Sequence, residues 1–205
     1  MAALSFAHRF APGSSSDTVL VLHGTGGDED DLLPLARQLA PSANLLSPRG
    51  QVLEHGMPRF FRRLSIGVFD EQDLVCRARD LAAFVGEASA AYAFDPARVF
   101  ALGYSNGANI AAAVLLLHPS VLAGAALLRP VLPLEPPSVP ALTGKPVFIA
   151  AGTHDPYSDR DRVEALRDRL TSGGASVELH WAPRGHELGE DEVALTRRWF
   201  EARGM

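Results

Sequence analysis

Val99-Phe100-Ala101-Leu102-Gly103-Tyr104-Ser105-Asn106-Gly107 runs from a short apolar stretch to a serine flanked by two glycines, and residues 108–117 continue as an almost unbroken apolar run. The first part reads as a core strand and the second as a helix. With no linker between them, the chain must turn sharply at Ser105 itself. Glycines at 103 and 107 suit such a turn, because a side chain at either position would collide with the neighbouring strand or helix. A serine there sits on strained backbone with its hydroxyl projecting from the sheet edge. The helix that begins at once leaves the Asn106 N–H unpaired and aimed toward negative charge developing beside that hydroxyl.

Outward from this turn, apolar runs ending in Gly, Pro, Ser or His alternate with longer amphipathic stretches. Residues 18–22, 44–46, 99–102, 124–128, 147–151 and 177–181 are the strand candidates; 31–39, 72–91, 106–117, 159–171 and 190–202 are the helix candidates. The strand runs are nearly continuous Val, Ile, Leu and Ala, which predicts a sheet covered on both faces. The fold class is therefore α/β, a three-layer doubly wound and mostly parallel sheet, expected as one domain over residues 1–205. Two stretches, 48–70 and the proline-rich 134–145, interrupt the alternation. Each follows a strand, at the carboxyl edge where open α/β sheets bind ligands, so both are expected to shape a pocket.

Composition removes several classes of function. The chain has 205 residues, 47% of them apolar, and a formal net charge of −5 with both signs interleaved, so nothing calls for nucleic acid or an anionic membrane surface. Cys76 is the single cysteine, which excludes an intramolecular disulfide framework. The first ten residues lack a signal-peptide pattern, and no apolar run approaches the roughly 20 residues that span a bilayer. A cytoplasmic location without stable membrane insertion is the expectation.

A serine hydroxyl is a poor nucleophile near neutral pH unless a base and an orienting group lie within reach. The strand candidate 147–151 leads through Gly152, Thr153 and His154 to Asp155, and 177–181 leads through Pro183, Arg184 and Gly185 to His186. The order Ser105, Asp155, His186, with each residue just beyond a strand, is that of an α/β-hydrolase triad. Each assignment has rivals. Asp155 precedes Pro156, a common turn pair. Asp159 and Asp161 fall where carboxylates cap a helix. His154 is the alternative base, although neighbours on extended chain point apart. A zinc site from His154, Asp155, His180 and His186 has no compact ligand spacing, so no metal is expected.

After the first core strand comes His23-Gly24-Thr25-Gly26-Gly27-Asp28, whose glycines allow close backbone approach to a ligand. The segment lacks the Lys-Ser/Thr of a phosphate-binding loop. The N–H groups of Thr25 and Asn106 are the candidate oxyanion donors. Losing one such donor typically costs about 3 kcal/mol of transition-state stabilisation.

With these motifs assembled, the sequence resembles the bacterial carboxylesterase/phospholipase family of α/β hydrolases, related to acyl-protein thioesterases and dienelactone hydrolases. The likeness covers most of the chain. It is carried by residues 23–28, Ser47-Pro48-Arg49-Gly50, Met57-Pro58-Arg59-Phe60-Phe61-Arg62-Arg63, residues 103–107, residues 152–156 and Gly185-His186. The resemblance implies an esterase that needs no cofactor, with the triad and oxyanion donors named above. By analogy alone it also implies a homodimer. Tyr157-Ser158 departs from the Val-Pro that often follows Asp-Pro in such proteins, which bears on substrate preference.

The implied substrate is a small-molecule ester. Phe60, Phe61, Leu64, Phe69, Val131 and Leu132 are the candidate pocket walls, since they come from or border the two irregular stretches; each also suits ordinary core packing. Arg59, Arg62 and Arg63 suit an anionic substrate, or else ion pairs with acids such as Glu54, Asp70 and Glu71. A thioester, a lysophospholipid, or a ligand bound without turnover are the competing readings. An imidazole base predicts activity that falls at acid pH, as the base becomes protonated.

Overall fold

The computed structural model describes residues 4–139 and 141–205. Its elements run in order: β1 (His8–Ala11), β2 (Thr18–Leu22), α1 (Leu33–Leu39), β3 (Asn44–Pro48), β4 (Val52–Glu54), β5 (Met57–Arg59), β6 (Arg63–Ser65), β7 (Val68–Phe69) and α2 (Glu71–Tyr92). A 3₁₀ turn at Pro96–Arg98 leads into β8 (Val99–Tyr104), α3 (Asn106–Leu117), β9 (Gly124–Leu128), β10 (Pro146–Gly152), α4 (Arg160–Ser172), β11 (Ser176–Ala182) and α5 (Glu190–Glu201).

Seven strands form one sheet in the order β1-β3-β2-β8-β9-β10-β11. All its pairings are parallel except that of β1 with β3. The apolar runs fill both faces because successive strand residues point to opposite sides. Leu20, Leu22, Ala125, Leu127, Val147 and Ile149 join the core under α2, α3 and α4. Their neighbours Val19, Val21, Ala126, Leu128, Phe148 and Ala150 join the core under α1 and α5, with Ala36, Leu39, Trp199 and Phe200. The result is a three-layer, doubly wound α/β sheet. Among the described residues no helix is long and apolar enough to cross a membrane.

Strand and helix limits differ from the sequence reading by a few residues, and five short strands are additional, β1 and the four of two small hairpins. β1 is an edge strand of four residues held by its ladder to β3, with His8 opposite Pro48 and Ala11 opposite Leu45. The stretch expected to be irregular, 48–70, holds two small antiparallel hairpins, β4–β5 and β6–β7. The first turns through His55 and Gly56, both left-handed at φ 52° and 82°, which matches the tight two-residue turn of a twisted hairpin. These strands of two or three residues carry no alternating apolar run, so their sequence has no strand signal. Helix α1 begins at Leu33 rather than Asp31. Residues 134–139 and 141–145 contain no helix or strand.

Candidate active site

Strands β2, β8, β9, β10 and β11 lie side by side, and from each carboxyl end the chain delivers one part of the site. Ser105 follows β8 with φ 53° and ψ −113°, a left-handed conformation costing about 1–3 kcal/mol in a non-glycine residue. The surroundings enforce it. The Ser105 N–H donates to the Leu128 carbonyl at 2.8 Å, and its carbonyl accepts from Asn109 N–H at 3.0 Å. A Cβ on Gly107 would lie 2.0 Å from the Leu22 carbonyl oxygen, and one on Gly103 would lie 2.5 Å from the Gly107 carbonyl oxygen. Only glycine lets α3 start this close to β2.

Asp155 sits in the loop after β10 with its side chain fully buried. Its two oxygens divide the work that the sequence left as alternatives. Oδ1 accepts from the Tyr157 N–H at 2.9 Å, closing the Asp-Pro turn. Oδ2 accepts from His186 Nδ1 at 2.8 Å. On the other side of the ring, Nε2 lies 2.9 Å from Ser105 Oγ. Ser105, His186 and Asp155 thus form a continuous hydrogen-bonded chain, in which Nδ1–H bound to the carboxylate leaves the Nε2 lone pair facing the hydroxyl. The imidazole packs against the rings of Tyr104 and Tyr157 at 5.3 and 5.1 Å. Burial pushes the Tyr104 phenol pKa above its ordinary value, so the hydroxyl stays protonated and donates to the His186 carbonyl at 2.9 Å.

The rivals lie elsewhere. His154 is exposed beside Thr153, 3.2 Å from its hydroxyl. Asp159 caps α4 through the N–H groups of Asp161 and Arg162, and Asp161 stands in the first turn of that helix. His180 lies within β11, paired with Ala150. No group of three or more His, Cys, Asp or Glu side chains is arranged to hold a metal ion among the described residues.

Thr25 and Asn106 border the same cavity as Ser105. The Asn106 N–H opens α3, where no preceding turn supplies an acceptor. No described residue accepts from the Thr25 N–H. The loop carrying Thr25 is tied down by groups that the sequence pattern did not single out. Burial lowers the His23 pKa, and the neutral ring donates from Nδ1 to the Gly24 carbonyl at 2.6 Å while Nε2 accepts from the Gly50 N–H at 2.9 Å. Gly26 N–H bonds the Pro58 carbonyl at 2.9 Å, and Arg59 donates to the Thr25 hydroxyl at 2.6 Å. The Asn106 side chain accepts from the Phe60 N–H at 2.7 Å. The first hairpin is thereby laced to both candidate oxyanion residues.

His23 gives this loop a pH dependence. The unfolded chain takes up a proton at this residue below about pH 6.5, while the folded protein resists it, so His23 favours folding fully above that pH and loses this contribution as the pH falls. His23→Gln is expected to lower the melting temperature at about pH 8 yet flatten its decline between about pH 7 and 5. Parallel melting curves across that range for parent and variant would contradict this.

The candidate pocket walls need correction. The cavity, about 450 Å³, is bordered by Thr25, Arg59, Arg63, Ile66, Phe69 and Tyr157 among others. Of the six residues expected to line it, only Phe69 does. Phe60, Phe61 and Val131 are buried in the core against α2 and α3, Leu132 packs on the edge of that core, and Leu64 projects into solvent at 73% exposure. The pleat of the short hairpins sends neighbouring residues in opposite directions, so membership of the segment does not decide which side chain meets the cavity. Arg62 pairs with Asp70 and Asp73, at 2.9 and 3.7 Å, rather than with Glu71. Arg59 and Arg63 share Glu54 at 3.1 and 2.8 Å.

Arg129, absent from the sequence reading, follows β9 with its side chain fully buried and its Nε 4.0 Å from Asp155 Oδ2. An arginine directly after an all-apolar strand, at the edge that carries the site, was the available signal.

Comparison with known proteins agrees with this architecture. A model of the dienelactone hydrolase family matches residues 69–194. The chain is 48% identical over 194 residues to the putative hydrolase MhqD of Bacillus subtilis (strain 168), covering 95% of this chain and 97% of that protein. The Bacillus cereus carboxylesterase structure superposes with a TM-score of 0.93 at 47% identity, covering 97% of this chain and 94% of that one. The Mesorhizobium loti carboxylesterase gives a TM-score of 0.91 at 34% identity, covering 98% and 97%. Since the family model spans more than half of the chain and these relatives match it nearly from end to end, the protein belongs to the dienelactone hydrolase family and has the α/β-hydrolase fold.

Proposed function

We propose that the protein is a serine esterase that cleaves carboxylic esters with small or medium acyl or aryl groups through an acyl-enzyme on Ser105. The observation that carries this reading is the relay from Asp155 Oδ2 to His186 at 2.8 Å and from His186 to Ser105 Oγ at 2.9 Å. In the first step His186 Nε2 takes the hydroxyl proton as Ser105 Oγ bonds to the ester carbonyl carbon. The carbonyl oxygen becomes an oxyanion, received by the N–H groups of Thr25 and Asn106. Collapse breaks the bond to the leaving alcohol, which departs with the proton from His186. Water then repeats the sequence, releasing the carboxylic acid and restoring Ser105. Asp155 holds the ring in the tautomer this requires.

A cavity of about 450 Å³ suits a small ester better than a long acyl chain. The test combines covalent labelling with a substrate panel. A fluorophosphonate is expected to modify Ser105, and p-nitrophenyl esters from acetyl to hexanoyl are expected to turn over faster than lauroyl esters, acyl-CoA or lysophosphatidylcholine. Preference for the lipid or thioester would move the assignment to a lysophospholipase or thioesterase with the same residues. Failure of the probe to label Ser105 would favour a ligand-binding protein without turnover.

A further inference from the structure

Arg129 and Glu192 form an ion pair whose side chains are both fully buried, within reach of both the acid and the base of the site. Arg129 is held at φ 59° by its own N–H, which donates to the Ala150 carbonyl at 2.8 Å. Its guanidinium donates to the carbonyls that flank His186, Gly185 at 3.0 Å and Glu187 at 2.5 Å. It also reaches the Ala150 carbonyl at 3.3 Å and Glu192 Oε2 at 2.9 Å. Glu192, in the first turn of α5, accepts in addition from Gly189 N–H at 3.0 Å. One cation therefore joins the end of β10, the turn that carries His186 and the start of α5. Burying two charges costs enough that such a pair is a poor stabiliser compared with apolar side chains of similar size. Its contacts run instead to the backbone that aims the imidazole.

We propose that Arg129 and Glu192 are positioning residues for His186: the guanidinium fixes the turn, and the Glu192 carboxylate cancels its charge so that Asp155 dominates the field on the ring. This rests on the reading of Ser105, His186 and Asp155 as the reacting set. Asp155 from the loop after β10 and the phenols of Tyr104 and Tyr157 face His186; Arg129 from the end of β9 stands 4.0 Å from that Asp155 carboxylate, and Glu192 from α5 is paired with Arg129 behind it. On its own turn, the Glu187 carboxylate bonds back to the Gly185 N–H at 3.3 Å, and Arg184 pairs with Asp191 at 3.2 Å. Removing the Glu192 charge leaves Asp155, 4.0 Å from Arg129, as the carboxylate that balances the guanidinium, so less net negative charge remains to favour the protonated imidazole.

The test is the pH profile of kcat/KM on p-nitrophenyl acetate, run for the parent and for Ser105→Ala, Glu192→Gln and the double variant Arg129→Met/Glu192→Met. Turnover independent of Ser105 overturns the serine-hydrolase reading and this proposal with it. Given Ser105-dependent turnover, Glu192→Gln is expected to move the acid limb down by about 1 pH unit with KM nearly unchanged. The double variant, in which both charges are gone, is expected to return the limb to the parent position while kcat falls about tenfold at unchanged KM. A limb that stays in place or rises in Glu192→Gln, or one displaced in the double variant, overturns the proposal alone. Should Glu192→Gln not fold, the double variant decides: a limb at the parent position with lowered kcat supports the proposal, and any other result overturns it.

Discussion

Ser105→Ala is expected to reduce turnover of an activated ester by a factor on the order of 10⁴ or more, with the melting temperature within about 2 °C of the parent. The chemistry is lost because no other oxygen occupies the position 2.9 Å from His186 Nε2. The fold is kept because the backbone bonds to Leu128 and Asn109 that hold the turn do not involve the side chain. Alanine inherits the strain at φ 53°, whereas glycine does not. Ser105→Gly is therefore expected to melt above Ser105→Ala while being equally inactive. Steady-state kinetics and thermal melts of the three proteins check both halves, and more than about 1% residual turnover in either variant would remove Ser105 from the nucleophile's role.

The second large effect separates two histidines. His186→Ala is expected to lower kcat by a factor on the order of 10⁴, because among the described residues His186 is the base hydrogen-bonded to Ser105 Oγ. His154→Ala is expected to keep activity within about twofold of the parent, since that ring is exposed and bonded only to its neighbour Thr153. The measurement is kcat/KM for both variants on one ester at one pH. Activity retained without residue 186 and lost without residue 154 would exchange their roles and dissolve the proposed relay.

The central strands could be read because most are runs of Val, Ile, Leu and Ala bounded by turn residues, a pattern confined to a few neighbouring positions. The turn at Ser105 could be read for the same reason, as could the order in which Asp155 and His186 follow their strands. β1 could not, because what holds it is pairing with distant chain, as His8 with Pro48, and the hairpins could not, because strands of two or three residues carry no alternating apolar run. The dual use of Asp155, one oxygen in its own turn and one on His186, also required coordinates. From sequence the turn and the site were competing explanations; in space they are two halves of one carboxylate.

What the sequence determined by itself is the set of locally encoded elements: buried strands, a glycine-flanked serine between strand and helix, and an acid and a histidine after later strands. What only the tertiary structure decided is which side chains share a volume. Phe60 and Phe61 went to the core and Tyr157 to the base, because strand pleat and loop closure set direction and no local pattern records them. Arg129 and Glu192, 63 positions apart, meet as a buried pair because β9 and α5 converge beside the His186 turn. That convergence is a property of sheet order and helix packing, and a one-dimensional pattern carries no term for it.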